Sequence, residues 1–215
     1  VDYLDLLGYS KKLNGELTNL PIVYAIDDES VARVLVTRED ALVSYWKLDE
    51  ELYSAARDTQ GRYNGTIMNL PVVGPSKAWT TAKFGNGIRL GPIEGRVETG
   101  SVPLEGAFTI SLWLKPYDVN GSGTLIMGKQ GYDQMNVFSL EKQDGNGSLN
   151  FNFFLDGNSS SVSLKSNPFE FEQGAWTHVA VVYDNSIESN QTLKLYIDGN
   201  LSDEKSLFTL SGLEL

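Results

Sequence analysis

The chain is poor in histidine and cysteine, two residue types that often act as nucleophiles, general bases or metal ligands. It has one histidine, His178, and no cysteine in 215 residues. His178 lies in the run WTHVAVVY, where its side chain alternates with those of Thr177 and Val179. No serine lies in a G-x-S-x-G motif, and there is no second histidine to complete a multi-histidine metal site. We therefore interpret Trp176 and His178 as packing residues at the start of a strand, and predict no catalytic residue.

Oxygen ligands for a hard cation are concentrated in one stretch. LDEEL followed by RDTQGRYNG supplies Asp49, Asp58 and Asn64, with backbone carbonyls around Gly61. Calcium prefers carboxylate and carbonyl oxygens presented by loops, so these three side chains are the candidate metal ligands for a structural calcium ion. Arg62 in the same loop would repel a cation. The alternative, which the sequence favours slightly, is a loop organised by Asx turns.

Exposed aromatic rings are the candidates for carbohydrate binding, since sugars stack on apolar faces and form hydrogen bonds at their rims. Trp113 alternates with the apolar residues of FTISLWLKP and is predicted to lie on the outer face of a sheet. Tyr196 and Phe154 have the same predicted exposure. Trp79 lies in the turn-rich stretch SKAWTTAKFG and is the loop aromatic that we expect to be exposed. The candidate ligand-binding residues are Trp79, Trp113 and Tyr196; the alternative is that loops and the N-terminal segment cover them.

The charge of the chain excludes two classes of partner. Its formal net charge is −11, whereas nucleic acids and anionic membranes attract proteins with a positive field. No run of 18 apolar residues is present, so no membrane-spanning helix is predicted. We therefore expect neither a nucleic-acid partner nor membrane insertion. Because the chain begins at Val1 without a signal-like apolar stretch, we interpret it as processed or as part of a longer protein.

Glycosylation sequons are more frequent than roughly the two or three expected by chance from the N-x-[ST] pattern. The excess favours a glycosylated protein located outside the cell, at the cell surface or at a virion surface. The alternative is that Asn, Gly and Ser are simply turn residues. The six predicted glycosylation sites are Asn64, Asn120, Asn146, Asn158, Asn190 and Asn200.

Period-two alternation predicts short β-strands separated by glycine-based turns. The predicted strands are LVSYWKL, FTISLWLKP, SLNFNFFLDG, THVAVVY and TLKLYIDG. Only THVAVVY is apolar on both faces, as expected of a central strand covered on both sides. Asn-Gly and Asp-Gly pairs, among them Asn64-Gly65, Asn86-Gly87 and Asp198-Gly199, are predicted hairpin turns. This pattern indicates an all-β protein, an antiparallel sandwich or jelly roll.

Residues 1–38 are predicted to form an N-terminal extension, and residues 39–215 the main domain. PIVYAI and VARVLV can pair as a hairpin about the turn DDES. A short helix beginning at Asp28 is the alternative, because an Asp or Ser before Glu29 also resembles an N-cap. The extension can also be the end of a preceding domain.

Seven segments occur in an order that resembles LamG-like jelly-roll domains of the concanavalin A type. They are ALVSYWKLDE, ARDTQGRYNGTI, AKFGNGIRLG, GAFTISLWLKP, TLIMGKQ, GAWTHVAVVYD and LKLYIDGNL, and they span roughly residues 41 to 205. The resemblance implies a two-sheet antiparallel sandwich that serves as a non-catalytic module in secreted, cell-surface and viral proteins. It also implies carbohydrate or protein binding, in some members a structural calcium ion near the Asp58 loop, and packing roles for Trp176 and His178.

The chain departs from this family after the LYIDG strand. Members continue with a glycine-rich run and a closing strand, whereas this chain ends with LFTLSGLEL. We therefore predict that the closing strand is missing. Because an unpaired edge invites aggregation, the hairpin of residues 21–37 or a strand from a neighbouring subunit is expected to cover it.

Three functional hypotheses follow. The first is a non-catalytic extracellular module that binds carbohydrate, a surface glycan or a glycoprotein, or serves in cell adhesion. The second is a structural subunit of a surface filament or virion, assembled with neighbouring copies by strand exchange. The third is a polysaccharide hydrolase. It is disfavoured because the glucanase spacing Glu-x-Asp-x-(x)-Glu is absent and the paired acids Glu170 and Glu172 lie just before a turn.

Overall fold

The computed structural model describes a set of strands and the loops that connect most of them. The described residues are 11–13, 16–18, 22–26, 32–36, 42–50, 54–71, 74, 77–90, 95–104, 106–117, 122–130, 135–143, 147–155, 160–168, 172–185 and 191–207.

Every regular element in these described residues is a β-strand, so the predicted all-β class is confirmed. No helix that could span a membrane is found in this part of the chain. The strands are β1 (Lys11–Leu13), β2 (Glu16–Thr18), β3 (Ile22–Ile26), β4 (Ala32–Val36), β5 (Ala55–Ala56), β6 (Gly65–Met68), β7 (Trp79–Thr81), β8 (Asn86–Ile88), β9 (Arg96–Glu98), β10 (Phe108–Leu114), β11 (Gly123–Gln130), β12 (Met135–Lys142), β13 (Leu149–Leu155), β14 (Ser160–Lys165), β15 (Thr177–Asp184), β16 (Thr192–Ile197) and β17 (Asn200–Ser206).

Two four-stranded antiparallel sheets form the sandwich. Sheet A has the strand order β10-β15-β16-β17, and sheet B has the order β11-β12-β13-β14. Smaller sheets are formed by β5-β6-β9, by β7-β8, by β3-β4 and by β1-β2. All strand pairs within these sheets are antiparallel, as the short connections between alternating runs predict.

The core lies between the inner faces of sheets A and B. Phe153 of sheet B contacts both Phe108 and Tyr183 of sheet A, with ring centroids 5.9 and 5.6 Å apart. The buried members of the core are Leu140, Leu149, Phe151, Phe153 and Leu164 from sheet B, Val179, Val181, Tyr183, Leu193, Leu195 and Ile197 from sheet A, and Leu207. Burial of this aliphatic and aromatic surface is the main favourable contribution to folding of the sandwich.

The alternation predicted from sequence decides which side chains enter the core. In β10 the apolar residues Phe108, Ile110, Leu112 and Leu114 pack against the core, while the residues between them are exposed. In β13 and β16 the side chains that point inwards are buried and those that point outwards are half-buried. β15, the run that is apolar on both faces, lies inside sheet A between β10 and β16, and its outward side chains are half-buried.

The Asp198-Gly199 turn joins β16 and β17 as predicted. Both residues have positive φ, 48° and 81°, which matches the two-residue hairpin turn that these residue types favour. The pairs Asn64-Gly65 and Asn86-Gly87 were predicted wrongly as turns, because Gly65 lies in β6 and Gly87 in β8. At Gly65 a Cβ would lie 2.7 Å from Cγ1 of Val97, so the glycine permits close strand packing instead of a turn.

The prediction of a sheet strand at LVSYWKL is wrong. Residues 42–50 form no regular strand and make one isolated bridge, between Trp46 and Asp58. Leu48 has a φ of 60°, which is incompatible with a strand conformation, and Leu42 is exposed. The segment is held instead by single hydrogen bonds, including one from the Trp46 indole N–H to the carbonyl of Tyr63 at 2.7 Å.

The N-terminal strands β3 and β4 form an antiparallel hairpin. Neither strand pairs with a further strand in the described part of the chain. Residues 27–31, where a helix was the alternative, lie outside the described residues, as do the predicted domain boundary near residue 39 and the C-terminal residues 208–215. The predicted absence of a closing strand and its replacement by this hairpin therefore stay predictions.

Side chains of β17 bring the edges of the two sheets together on one side of the sandwich. The backbone N–H of Lys165, in edge strand β14, donates to Oδ2 of Asp203 at 2.9 Å. The N–H of Asn167 donates to Oγ of Ser202 at 3.3 Å. These bonds satisfy polar groups that an unpaired edge would otherwise leave open.

Replacing a core leucine tests this description of the sandwich. Leu195 of β16 is 0% exposed, so we expect Leu195→Ala to lower the free energy of unfolding by about 2–5 kcal/mol in a urea titration. The matched control is Leu201→Ala on β17, whose side chain is 51% exposed and whose loss should cost less than about 0.5 kcal/mol. Equal losses for the two variants would contradict the assigned burial.

Candidate functional site

The outer face of sheet A brings together residues that are far apart in sequence. The register of β10 with β15 places Trp113 opposite His178 and Ser111 opposite Ala180. The register of β15 with β16 then places Ala180 opposite Tyr196. The sequence placed Trp113 on an outer face, and this is confirmed.

Trp113 is the centre of an exposed cluster that we call the aromatic corner, made of Lys83, Phe84, Trp113 and His178. The ring of Phe84 meets that of Trp113 edge to face, with centroids 5.7 Å apart and planes at 78°. The His178 ring lies 5.1 Å from the Trp113 ring, and the Lys83 ammonium lies 5.0 Å from its centroid. Such aromatic and cation–π contacts each contribute about 0.5–1 kcal/mol at exposed positions.

The aromatic corner remains accessible despite these contacts. Phe84 is 69% exposed and Trp113 is 38% exposed, which is unusual for two large rings that touch. Polar groups lie directly beside the rings, because Ser111 is exposed and its Oγ is 2.9 Å from Nε2 of His178. The corner therefore combines exposed aromatic surface with hydroxyl and imidazole hydrogen-bonding groups.

The Ser111–His178 contact has two of the elements of a hydrolytic triad and lacks the third among the described residues. Asp198 is the acid next to His178, but its Oδ1 accepts the backbone N–H of His178 at 2.8 Å instead of an imidazole N–H. The N–H of Asp198 in turn donates to the carbonyl of His178. Asp198 thus fixes the backbone of β15 and does not orient the ring for proton transfer.

The remaining aromatic candidates lie in different environments. Trp79 was expected to be exposed, and this is wrong: it lies in β7 and is 3% exposed. Its run is a strand with a buried first residue, so the flanking turn residues misled the prediction. Tyr196 and Phe154 are half-buried. Trp176 is half-buried and has the Lys115 ammonium 5.9 Å from its ring centroid.

The loop between β7 and β8 delivers Lys83 and Phe84 to the corner. It is closed by a hydrogen bond from the N–H of Ala82 to the carbonyl of Gly85 at 3.0 Å. Asp49, from the distant segment 42–50, accepts the N–H of Asn86 on Oδ1 at 2.9 Å. Asp49 therefore tethers this loop.

Asp58 organises a separate loop by accepting backbone hydrogen bonds. Oδ1 accepts the N–H groups of Tyr45 at 2.9 Å and Gln60 at 3.1 Å. Oδ2 accepts those of Arg62 and Tyr63, both at 3.0 Å. The N–H of Asp58 itself donates to Oδ1 of Asn64 at 2.9 Å. Asp58 is only 4% exposed, so this carboxylate is surrounded by donors at the centre of the loop.

These donors stabilise the ionised form of Asp58. Burial raises the pKa of the carboxyl, but hydrogen bonds from the backbone of Tyr45, Gln60 and Tyr63 lower it by more, and the pKa lies well below its ordinary value. A negative charge that accepts several N–H groups is favoured over the neutral acid. Asp58 therefore contributes to stability as an anion.

The hydrogen bonds of Asp58 argue against a calcium ion in its loop, and the calcium site predicted at Asp49, Asp58 and Asn64 stays a prediction. Each oxygen of Asp58 already accepts two N–H groups, which occupies the lone pairs that a cation would need. The oxygen of Asn64 accepts the N–H of Asp58, and Asp49 binds a different loop. In the part of the chain that the structure describes, no group of three or more His, Cys, Asp or Glu side chains is arranged to hold a metal. The arrangement is the Asx-turn loop that the sequence offered as the alternative.

Two of the six predicted glycosylation sites can be placed. Asn200 is exposed at the start of β17, and Asn64 is exposed although its amide oxygen is hydrogen-bonded. Asn120, Asn146, Asn158 and Asn190 lie outside the described residues. Glycosylation at all six sites stays a prediction.

The sequence missed most of the aromatic corner. Phe84 and Lys83 lie in a glycine-containing loop whose contact with β10 depends on tertiary packing, and no periodic pattern marks them. Ser111 and His178 had a detectable signal, because both share the outer face of adjacent alternating strands. Glu172, one of the two acids considered for hydrolysis, is exposed, while Glu170 lies outside the described residues.

Changing Asp58 to Asn tests its role as a buried anion. Asn keeps one acceptor oxygen and replaces the other, so we expect a lower urea midpoint at pH 7. Because the pKa of Asp58 is depressed in the folded state, its contribution is present above the ordinary Asp pKa of about 3.9 and is lost as the pH falls through the folded value. The difference between the two proteins should therefore shrink below about pH 4. Glu172→Gln, at an exposed acid, is the control; a difference for Asp58→Asn that persists unchanged to pH 2 would contradict the assignment.

Addition of calcium is a second test of the Asp58 loop. After chelation, we expect millimolar calcium to leave the melting temperature of the protein unchanged, because the carboxylate of Asp58 is saturated with N–H donors. Calorimetry with and without calcium measures this. Stabilisation that is abolished by Asp49→Asn or Asn64→Ala would show that the predicted ligands do bind the ion.

Comparison with known proteins agrees with the observed fold. The family model of the concanavalin A-like lectin/glucanases superfamily matches residues 93–213, which is more than half of the chain. No curated protein matches the chain. Among solved structures, the chain is similar to the crystal structure of an S-layer domain-containing protein from Clostridium thermocellum, with 19% sequence identity, a TM-score of 0.47, and coverage of 75% of this chain and 71% of that chain. The match of the family model over both sheets of the sandwich shows that the chain belongs to the concanavalin A-like lectin/glucanase superfamily.

Proposed function

We propose that this protein is a non-catalytic module that binds carbohydrate at the aromatic corner on the outer face of sheet A. The observation that carries the proposal is the perpendicular pair of exposed rings, Phe84 and Trp113, directly beside the hydroxyl of Ser111 and the imidazole of His178.

This arrangement suits a sugar for a physical reason. A pyranose ring has apolar C–H faces that pack on aromatic rings, and hydroxyl groups around its rim that need hydrogen-bonding partners. Two rings at 78° form a corner that can hold one sugar against two surfaces. Oγ of Ser111 and Nε2 of His178 are hydrogen-bonded to each other, so the groups left for a sugar are the remaining capacity of the Ser111 hydroxyl and Nδ1 of His178.

The same geometry argues against hydrolysis. Glycosidases need two carboxylates about 5–10 Å apart across the scissile bond. Asp198 is the acid adjacent to the corner in the register of sheet A, and its Oδ1 is committed to the backbone of β15. A binding role requires no such acid pair, so it is the better account of the residues present.

A location outside the cell or at its surface is part of the proposal. It is supported by the six sequons and by membership of a superfamily of lectins and glucanases. Attached glycans at exposed Asn200 would be compatible with the fold. Adhesion to surface glycans or glycoproteins is the corresponding biological role.

Assembly with neighbouring copies by strand exchange is the alternative that the sequence raised. It depends on the covering of a sheet edge by residues 21–37 or by another chain. It enters as an outcome of the test below.

A glycan array with matched variants tests the proposal. We expect Trp113→Ala and Phe84→Ala each to reduce binding of the recognised glycan by about tenfold, because loss of a stacked aromatic ring removes about 1–1.5 kcal/mol. Phe154→Ala, which removes a half-buried ring from the outer face of sheet B, is the control and should leave binding unchanged.

Three outcomes separate the hypotheses. Binding that survives Trp113→Ala but is lost in Phe154→Ala would move the site to sheet B and contradict the proposal. No glycan binding, together with a concentration-dependent molecular mass in light scattering, would favour assembly. Release of reducing sugar from a polysaccharide by the purified protein would favour the hydrolase.

A further inference from the structure

Two of the four residues of the aromatic corner lie on the β7–β8 loop, which is held by a residue of the distant segment 42–50. Lys83 and Phe84 precede Gly85, and the next N–H along the chain, that of Asn86, donates to Oδ1 of Asp49 at 2.9 Å. The two residues are 37 positions apart in sequence. A bond of this kind restricts the loop that carries the exposed ring of Phe84.

Gly85 is shaped to receive the Asp49 carboxylate. Its φ is +58°, a conformation that side chains other than glycine rarely adopt. A Cβ built on Gly85 would lie 2.5 Å from Oδ1 of Asp49, so a side chain there would force the carboxylate to shift. The carboxylate thus sits against bare backbone.

The other end of segment 42–50 is held as well. The N–H of Tyr45 donates to Asp58, the N–H of Thr59 donates to the carbonyl of Tyr45 at 2.9 Å, and the Trp46 indole donates to Tyr63. The loop organised by Asp58 therefore anchors the segment from which Asp49 reaches the β7–β8 loop. A continuous set of contacts runs from Asp58 to Trp113.

We infer that Asp49 is a positioning residue for the aromatic corner, acting through Gly85 and Asn86 on Phe84 and Lys83. With Asp49 in place, the two residues are held against Trp113 in the geometry that forms the corner. Without it, the loop gains conformational freedom, and the ring of Phe84 leaves Trp113 for part of the time. As a statement about binding, this inference rests on the proposed function; as a statement about the geometry of Trp113, it does not.

The chemistry of the contact predicts which substitutions preserve it. The N–H of Asn86 needs an acceptor oxygen, and the charge of Asp49 is not paired with a cation in any salt bridge of the described residues. Asn carries an oxygen of similar reach, so Asp49→Asn should retain the hydrogen bond, whereas Asp49→Ala removes it. Gly85→Ala should break the same contact from the other side.

Nuclear magnetic resonance of the whole chain tests the inference without a ligand. The indole N–H signal of Trp113, assigned by its loss in Trp113→Phe, reports the packing of Phe84, Lys83 and His178. We expect Asp49→Ala to shift this signal and to speed hydrogen exchange of the Asn86 amide by about tenfold, as the loss of one hydrogen bond predicts. Asp49→Asn should restore both. Glu172→Ala removes a charge from an exposed turn and should change neither.

Binding to the glycan array provides a second test of the role of Asp49. Asp49→Ala and Gly85→Ala should each weaken glycan binding several-fold, and the double variant should be no weaker than Gly85→Ala alone, because both changes disturb the same contact while the backbone strain belongs to Gly85→Ala. An unchanged Trp113 signal and unchanged Asn86 exchange in Asp49→Ala would overturn the positioning role. If these two signals change while Trp113→Ala leaves glycan binding intact, the positioning role stands and the proposed function fails.

Discussion

The register between β10 and β15 is the constraint on which the rest of the structure depends. It places Phe108 opposite Tyr183 and Trp113 opposite His178 in a single ladder. Because side chains alternate between the two faces, the same pairing sends the rings of Phe108 and Tyr183 into the core and those of Trp113 and His178 outwards. If the pairing of β10 with β15 shifted by one residue, the side chains of the corner would turn towards the core and the core side chains would turn outwards. Stability and the proposed binding surface therefore have a common origin in this pairing.

Acidic side chains serve this protein mainly as acceptors for backbone N–H groups. Asp58 accepts four of them, Asp49 holds the β7–β8 loop, Asp198 fixes β15 of sheet A, and Asp203 joins β17 of sheet A to β14 of sheet B. Loops that lack a helix or a ladder leave backbone donors unsatisfied, and a carboxylate satisfies several donors at once. The carboxylates of Asp49 and Asp58 are therefore engaged with backbone donors.

The sandwich could be predicted from sequence because its determinants are local. Alternation in FTISLWL and TLKLYI fixes which side chains enter the core, and Asp198-Gly199 fixes one hairpin by its tolerance of positive φ. The site could be predicted only in part. Trp113 followed from alternation, whereas Phe84 reaches it through a tertiary contact that Asp49 maintains. The prediction that Trp79 is exposed was wrong, because turn residues flank a three-residue strand in which the Trp79 ring is buried.

The central claim is that the outward face set by this register is the surface that meets a sugar. Mapping of chemical-shift changes on the labelled protein during titration with a glycan recognised on the array tests it most directly. The account predicts that the largest changes fall on Lys83, Phe84, Ser111, Trp113 and His178. Changes centred instead on the outer face of sheet B, around Asn152 and Phe154, would contradict it.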